Sequence, residues 1–147
     1  MDLRELYQEI IMDHNKNPRH HHDMARATHQ AMGFNPLCGD KLTVYVNLQD
    51  DVIKDMSFVG CGCAISQASA SMMTDALCGK TKQEALHLFK KFHDLLTQDA
   101  PPSADLGDQL NVLMGVRAYP ARVKCATLAW HTMDSALKKD GLTASTE

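Results

Sequence analysis

The chain has 147 residues with 15 Lys and Arg against 18 Asp and Glu, a formal charge of -3, which supplies no field for nucleic acid. A chain of this length is expected to bury roughly 68–70% of its unfolded surface, enough for a core without disulfide staples, and no apolar run approaches the roughly 20 residues of a membrane span. The five cysteines are an odd number, and no apolar segment with a small-residue cleavage site follows Met1. The expectation is a reducing cytoplasm and not a secreted disulfide framework, which leaves small molecules, metals and proteins as partners.

Asp2-Leu3-Arg4-Glu5 fits a capping box with Met1 and Leu6 as its hydrophobic staple, and Leu3, Leu6, Tyr7, Ile10 and Ile11 recur at helical spacing. This amphipathic helix should end near Asn17-Pro18, because the residue before proline disfavours helical dihedrals. The polar stretch from Lys16 to Met32, with His20, His21 and His22, reads as a surface loop. From Leu42 the period changes: Leu42, Val44, Val46 and Leu48 alternate with Thr43, Tyr45 and Asn47, the pattern of a half-buried strand. Gln49-Asp50-Asp51 is a turn, Val52 to Val59 a second strand in an antiparallel hairpin, and Gly33-Phe34-Asn35 a candidate third.

After Gly60-Cys61-Gly62-Cys63, an Ala-, Ser- and Met-rich stretch runs to Cys78 with Ile65, Ala68, Met72 and Ala76 on one stripe, and Gly79 suits its C-terminal cap. Thr81-Lys82-Gln83-Glu84 is another capping box, opening a helix whose Ala85, Leu88, Phe89, Phe92 and Leu95 face the core. Pro101-Pro102 breaks the chain between Gln98 and Gly107. A short helical piece spans Gln109 to Met114, and Pro120 suits the first turn of a last helix with Val123, Ala126, Trp130, Met133 and Leu137 on its apolar face. Strands followed by helices predict an α+β fold, a small antiparallel three-stranded sheet packed against several helices. The expected organisation is one domain over residues 1–140 and a frayed tail over residues 141–147.

Three thiols and a carboxylate stand out: Cys38, Asp40, Cys63 and Cys125. Cys38 and Asp40 flank Gly39 in a turn leading into the first long strand, where a flexible backbone lets both face one centre. Cys63 follows Gly62 at the start of a helix, where the helix N-terminus favours thiolate. Cys125 lies in the second turn of the last helix, near Arg122 and Lys124. Three thiolates and a carboxylate would make a closed tetrahedral zinc site carrying a formal charge of about -2, for which those two cations are natural neighbours. The same residues also admit plainer readings, with buried cysteine as a small hydrophobe and Arg122 and Lys124 as a solvated helix face. Cys78 is read as such a hydrophobe. Cys61 is either a spare ligand or an exposed loop thiol, and His20 to His22 read as surface histidines.

Leu6-Tyr7 through Asp13-His14, Lys16-Asn17-Pro18-Arg19, NPLCGD at Asn35 to Asp40, GCAIS at Gly62 to Ser66 and RVKCATLAW at Arg122 to Trp130 together resemble the IscU/NifU N-terminal family of iron–sulfur cluster assembly proteins. The resemblance covers about Leu3 to Lys139. The insertion with Pro101-Pro102 and the presence of Lys124, where the IscU branch has histidine, are similar to the SufU type. The resemblance implies a Zn2+ site at Cys38, Asp40, Cys63 and Cys125, and sulfur accepted as persulfide from a PLP-dependent, SufS-like cysteine desulfurase for downstream Fe–S assembly proteins. The IscU branch implies iron, or a transient [2Fe–2S] cluster built and handed on from the same ligands. Cys61 departs from the family pattern.

The expected chemistry is sulfur transfer, with Cys38 as persulfide acceptor because it sits on a glycine-flanked loop while Cys63 and Cys125 are fixed on helices. A metal-bound thiolate is deprotonated but less nucleophilic than a free one, so acceptance is expected to need exchange of Cys38 off the metal. The rival readings are a cluster scaffold and a purely structural zinc adaptor. In the adaptor, metal would be required for folding, which a chain with this much apolar sequence does not need.

Overall fold

A computed structural model describes residues 3–138 and 144–145. The chain runs α1 (Leu3–Lys16), β1 (His29–Asn35), β2 (Asp40–Gln49), β3 (Val52–Cys61), α2 (Ala64–Leu77), α3 (Lys82–Thr97), α4 (Gly107–Val112), α5 (Pro120–Leu137) and β4 (Ala144–Ser145), with 3₁₀ turns at Ala104–Leu106 and Leu113–Ala118. β1, β2 and β3 form the expected antiparallel sheet in sequential order. Ala144–Ser145 pairs parallel with Gly33 and Phe34 on the outer edge of β1, and the rest of the expected tail lies outside the described residues. The proposed N-terminal capping box and staple involve Met1 and Asp2, which lie outside the described residues.

The first strand is longer than its sequence suggests and begins at His29, inside the stretch expected to be loop. His29, Ala31, Gly33 and Asn35 point inward in strict alternation. Only one of these four is an ordinary apolar core residue, so the period of two is hidden from a hydrophobicity pattern. On β2, Asp40, Leu42, Val44 and Val46 continue the inward face, and a register irregularity at Asn47/Leu48 adjusts the β2–β3 pairing near the turn.

The helices cover that face. α5 packs on β1, β2 and α2, with Trp130 fully buried and stacked on Phe92 of α3 at a 4.6 Å centroid distance. Its indole N–H donates to Ser69 on α2 at 3.2 Å, satisfying the one polar atom that burial would otherwise orphan. The small residues of α2 are buried on all but its outer edge, which lets α1 and α5 approach closely from two sides. His14 of α1 is buried with Nδ1 2.7 Å from Ser71 of α2 and Nε2 2.7 Å from Gln109 of α4, so one imidazole ties three helices together. The Thr81–Glu84 capping box forms as the sequence predicts. Among the described residues no helix is long and apolar enough to cross a membrane.

Gly33 sets how closely α5 can lie on the sheet. A Cβ there would collide with the Thr132 side chain and meet Leu128 Cδ1 at 3.2 Å. Gly33→Ala should therefore cost about 1–3 kcal/mol through overpacking, read by denaturant unfolding, and Gly33→Ala combined with Thr132→Ala should recover part of the loss.

His131 on α5 packs edge-on against Phe89 and His93. Burial first, and then the neighbouring His93, hold its imidazole below the ordinary value. Because the unfolded chain binds that proton more readily, the contribution to stability is present above the unfolded value of about 6.5 and lost as pH falls through the lowered folded one. His131→Gln should flatten the decline in melting temperature across this range.

Candidate metal centre

Asn35 and Asp40 pair across the end of the β1–β2 hairpin, so residues 36–39 form the connecting turn and Cys38 rides on its exposed surface. Gly39 has φ +71, the left-handed conformation that this turn demands. Asp40, the first residue of β2, has no exposed surface. Its Oδ1 accepts the backbone N–H of Cys63 at 2.8 Å and its Oδ2 accepts from the Asn35 amide at 3.3 Å.

Cys63 is the N-cap of α2, and its sulfur accepts from Ser66 N at 3.5 Å in the role an oxygen side chain usually fills. The helix start can come this close to Asp40 because residue 62 lacks a side chain. A Cβ on Gly62 would stand 2.6 Å from Asp40 Oδ1 and 2.5 Å from Ser66 Oγ. Cys125 approaches from the opposite side. It is buried on α5, donates to Cys38 Sγ at 3.2 Å and lies 3.5 Å from the Asn35 amide nitrogen.

The ligand atoms of Cys38, Asp40 and Cys125 all lie within 4.8 Å of one another. Two thiolates on one tetrahedral zinc would be roughly 3.8 Å apart, from Zn–S bonds of about 2.3 Å, so these side chains need only small shifts to share an ion. Cys63 stands at the border of the group, with its sulfur 4.0 Å from Asp40 Oδ2. A soft-and-hard donor set of sulfur and carboxylate suits zinc or iron, and the residues present fit such an ion. The buried Asn35 Oδ1, beside this group, has no hydrogen-bond partner among the described residues.

Charge around the sulfurs is uneven. Burial, followed by hydrogen bonds with Cys38, Cys63 and Asp40, pushes the Cys125 thiol far above its ordinary value, so without a metal it stays protonated. Arg122 lies on the solvent side of the centre, and the sulfurs of Cys63 and then Cys125 hold its guanidinium still more firmly protonated. Lys124 is half-buried on the same helix. Tyr7 of α1 joins this neighbourhood: burial raises its hydroxyl and Arg122 opposes the shift.

Two contributors are not singled out by sequence patterns. Asn35 falls in the candidate third strand and the NPLCGD motif without a role for its side chain, although a polar residue at an inward position of a strand is the signal that marks it. Tyr7 reads simply as part of an apolar helical stripe. Cys61 is exposed at the end of β3, paired with Lys41, and belongs to neither the Asp40 group nor the core. Cys78 lies well away on α2, half-buried at the helix C-cap. An open groove of ≈ 790 Å³ between α1 and the α4 region is lined by Tyr7, Val112, Met114 and Tyr119, and not by any cysteine.

A hairpin turn, a helix N-terminus and a buried helix face converging on a sulfur–carboxylate centre define a small α+β domain with a candidate metal centre. The chain belongs to the NifU-like N-terminal domain family, whose match spans residues 6–139. It is 42% identical over 138 residues to the "Iron-sulfur cluster assembly scaffold protein IscU" of Streptococcus pyogenes serotype M1, covering 93% of this chain and 86% of that one. It is equally 42% identical over 140 residues to the "Zinc-dependent sulfurtransferase SufU" of Bacillus subtilis (strain 168), covering 95% and 94%. A crystal structure from Fervidobacterium islandicum AW-1, described as a proposed iron–sulfur cluster assembly scaffold for the SUF system, superposes with a TM-score of 0.84 at 38% identity, covering 90% of this chain and 97% of that one.

The Asn35 amide spans Asp40 and Cys125, so its loss should loosen both. Asn35→Ala is expected to weaken zinc about 10–100-fold, the usual range for a residue that orients metal ligands, measured by competition with a chromophoric chelator.

Proposed function

We propose that this protein is a SufU-type, zinc-dependent sulfur acceptor in iron–sulfur cluster assembly. The observation that carries the reading is the graded exposure of three cysteines around one buried carboxylate: Cys38 exposed, Cys63 half-buried and Cys125 buried. The sulfur donor is a cysteine desulfurase, specifically a PLP-dependent SufS-like enzyme, and the sulfur passes on to Fe–S assembly proteins in the cytoplasm. Similarity over almost the full length to a zinc-dependent sulfurtransferase supports this assignment.

In this reading Cys38, Asp40, Cys63 and Cys125 hold Zn2+, which when bound keeps the thiols deprotonated. Cys38 is the acceptor because only its sulfur is both at the centre and on an exposed turn. Its thiolate attacks the terminal sulfur of the desulfurase persulfide, forming an S–S bond at Cys38 and releasing the desulfurase cysteine as thiolate. Cys125 is locked against Ala121 O and the Asn35 amide, and Cys63 against the α2 N-terminus, so both serve to hold. Arg122 offsets the negative charge of the sulfurs, and Lys124 adds to the local positive field. The exposure of Cys38 on the hairpin turn fits a donor sulfur delivered on another protein's surface.

The alternative is an IscU-like scaffold for a nascent [2Fe–2S] cluster, a description carried by a relative of equal identity. Anaerobic reconstitution with iron and sulfide separates the two, since a stable visible cluster spectrum supports the scaffold.

Protein purified without added metal should contain one zinc per chain, and incubation with a cognate desulfurase and cysteine should leave a persulfide on Cys38. Cys38→Ser should reduce labelling to background while retaining some zinc. Unchanged transfer kinetics would remove Cys38 from the role. Asp40→Ala should alter metal exchange, and chelation should stop transfer with helix content intact. Collapse of circular dichroism on chelation would instead favour a structural adaptor.

A further inference from the structure

At the other end of the β2–β3 hairpin, three side chains from unrelated segments meet: His20 from the loop after α1, Asp55 from β3 and Cys78 from the C-cap of α2. Their ligand atoms all lie within 4.8 Å of one another. His20 Nδ1 faces Asp55 Oδ1 at 4.0 Å, and the Cys78 sulfur stands 3.9 Å from Met56 O on the strand that carries Asp55. All three residues are partly buried, neither sealed in the core nor free on the surface.

The backbone around each of them is anchored. His20 holds φ +55, which a residue with a Cβ seldom adopts. It is kept there because its carbonyl accepts from Phe58 N at 3.0 Å, while His21 bridges to Phe58 in the strand and packs its ring 4.9 Å from that phenyl. On the other side, Arg19 N donates to Ser71 Oγ and Arg19 O accepts from Thr74 Oγ1, both on α2. Cys78 is held by its N–H to Thr74 O, and the next residue's N–H donates to Ile53 O at 2.8 Å. Asp55 Oδ1 accepts from Met56 N at 2.9 Å. A local strain held in place by contacts on both sides points toward a function for the side chain it orients.

We propose that His20, Asp55 and Cys78 form a second metal site for a zinc-class divalent ion, separate from the Cys38 centre. Imidazole, carboxylate and thiol are a borderline-soft donor set that suits zinc or cobalt and is poorly matched to calcium or magnesium, which take oxygen ligands. Binding replaces the Cys78 S–H proton with the metal and releases that proton to solvent. With neutral imidazole, carboxylate and thiolate, the occupied site is formally neutral. Three protein ligands leave a fourth tetrahedral position for solvent or an incoming group, the arrangement of exchangeable sites. The two sites are far apart: Asp55 and Cys61 are six residues apart on β3, or roughly 20 Å at about 3.3 Å per residue, and Cys63 lies beyond. An ion here would staple the α1–β1 loop to the sheet and to α2, and the proposal does not depend on the sulfur-acceptor reading.

The test is Co2+ titration of the full chain after its resident zinc has been removed by chelation, following the thiolate-to-cobalt charge-transfer band and bound metal by elemental analysis. Wild type should take up two equivalents with thiolate absorption in both phases. Cys78→Ser and His20→Ala should each reduce the stoichiometry to one, and Asp55→Asn should weaken the second phase. Cys38→Ser combined with Cys125→Ser should eliminate the first phase and retain the second. Circular dichroism establishes folding, and His20→Ala, a truncation in a partly exposed loop, stands in if Cys78→Ser fails to fold. Bound cobalt whose stoichiometry is unchanged by both His20→Ala and Cys78→Ser overturns the proposal, whatever the Cys38 centre takes up.

Discussion

Asp40 is a carboxylate with no access to water, placed where the β1–β2 hairpin, the start of α2 and α5 meet. Such a group is tolerated in an interior only when polar partners replace its hydration. Here the replacements are the Cys63 N–H and the Asn35 amide. The N–H belongs to the helix N-cap residue, so satisfying Asp40 simultaneously docks α2 against the hairpin. The amide also reaches Cys125, which brings α5 into the same arrangement. One buried carboxyl group thus helps set the relative position of three elements, alongside apolar packing and the Trp130–Ser69 hydrogen bond between α5 and α2.

The glycines around this point are where the chain makes room. Gly62 allows the helix start to sit on Asp40, and Gly33 allows α5 to lie close on β1. Both remove volume and not polarity, and both act at positions where a single methyl group would meet an atom already in place. The close packing has a chemical consequence, because it buries Cys125 while leaving Cys38 on the hairpin turn. Thiols at one centre therefore differ in exposure, one buried and one accessible, a difference made by topology and not by residue type.

β3 links this centre to the His20–Asp55–Cys78 cluster. One end of the strand leads through Cys61 and Gly62 into the α2 N-cap, and its other half carries Asp55. α2 spans the same interval, with Cys63 capping one end and Cys78 the other. A strand and a helix that run between two polar clusters form a rigid strut, held together by the small residues of α2 and the core side chains Met56 and Phe58. This architecture keeps the Cys38 centre and the distal cluster at a fixed spacing.

Much of this protein is written locally. The α1 stop at Lys16, the β2–β3 hairpin, the Thr81 capping box and Pro120 at the first turn of α5 each follow from interactions within a few residues, so period and capping chemistry reveal them directly. The motifs around Cys38, Cys63 and Cys125 were legible for the same reason. β1 from His29 was not, because its inward positions hold histidine, alanine, glycine and asparagine, and their burial comes from α5 lying over them. The roles of Asn35 and Tyr7, the border position of Cys63 and the meeting of His20 with Asp55 and Cys78 were likewise decided only by tertiary structure. Hydrophobic period records which face a segment buries, but it carries no information about which distant segment covers that face, and polar side chains acquire partners only once that packing has been settled.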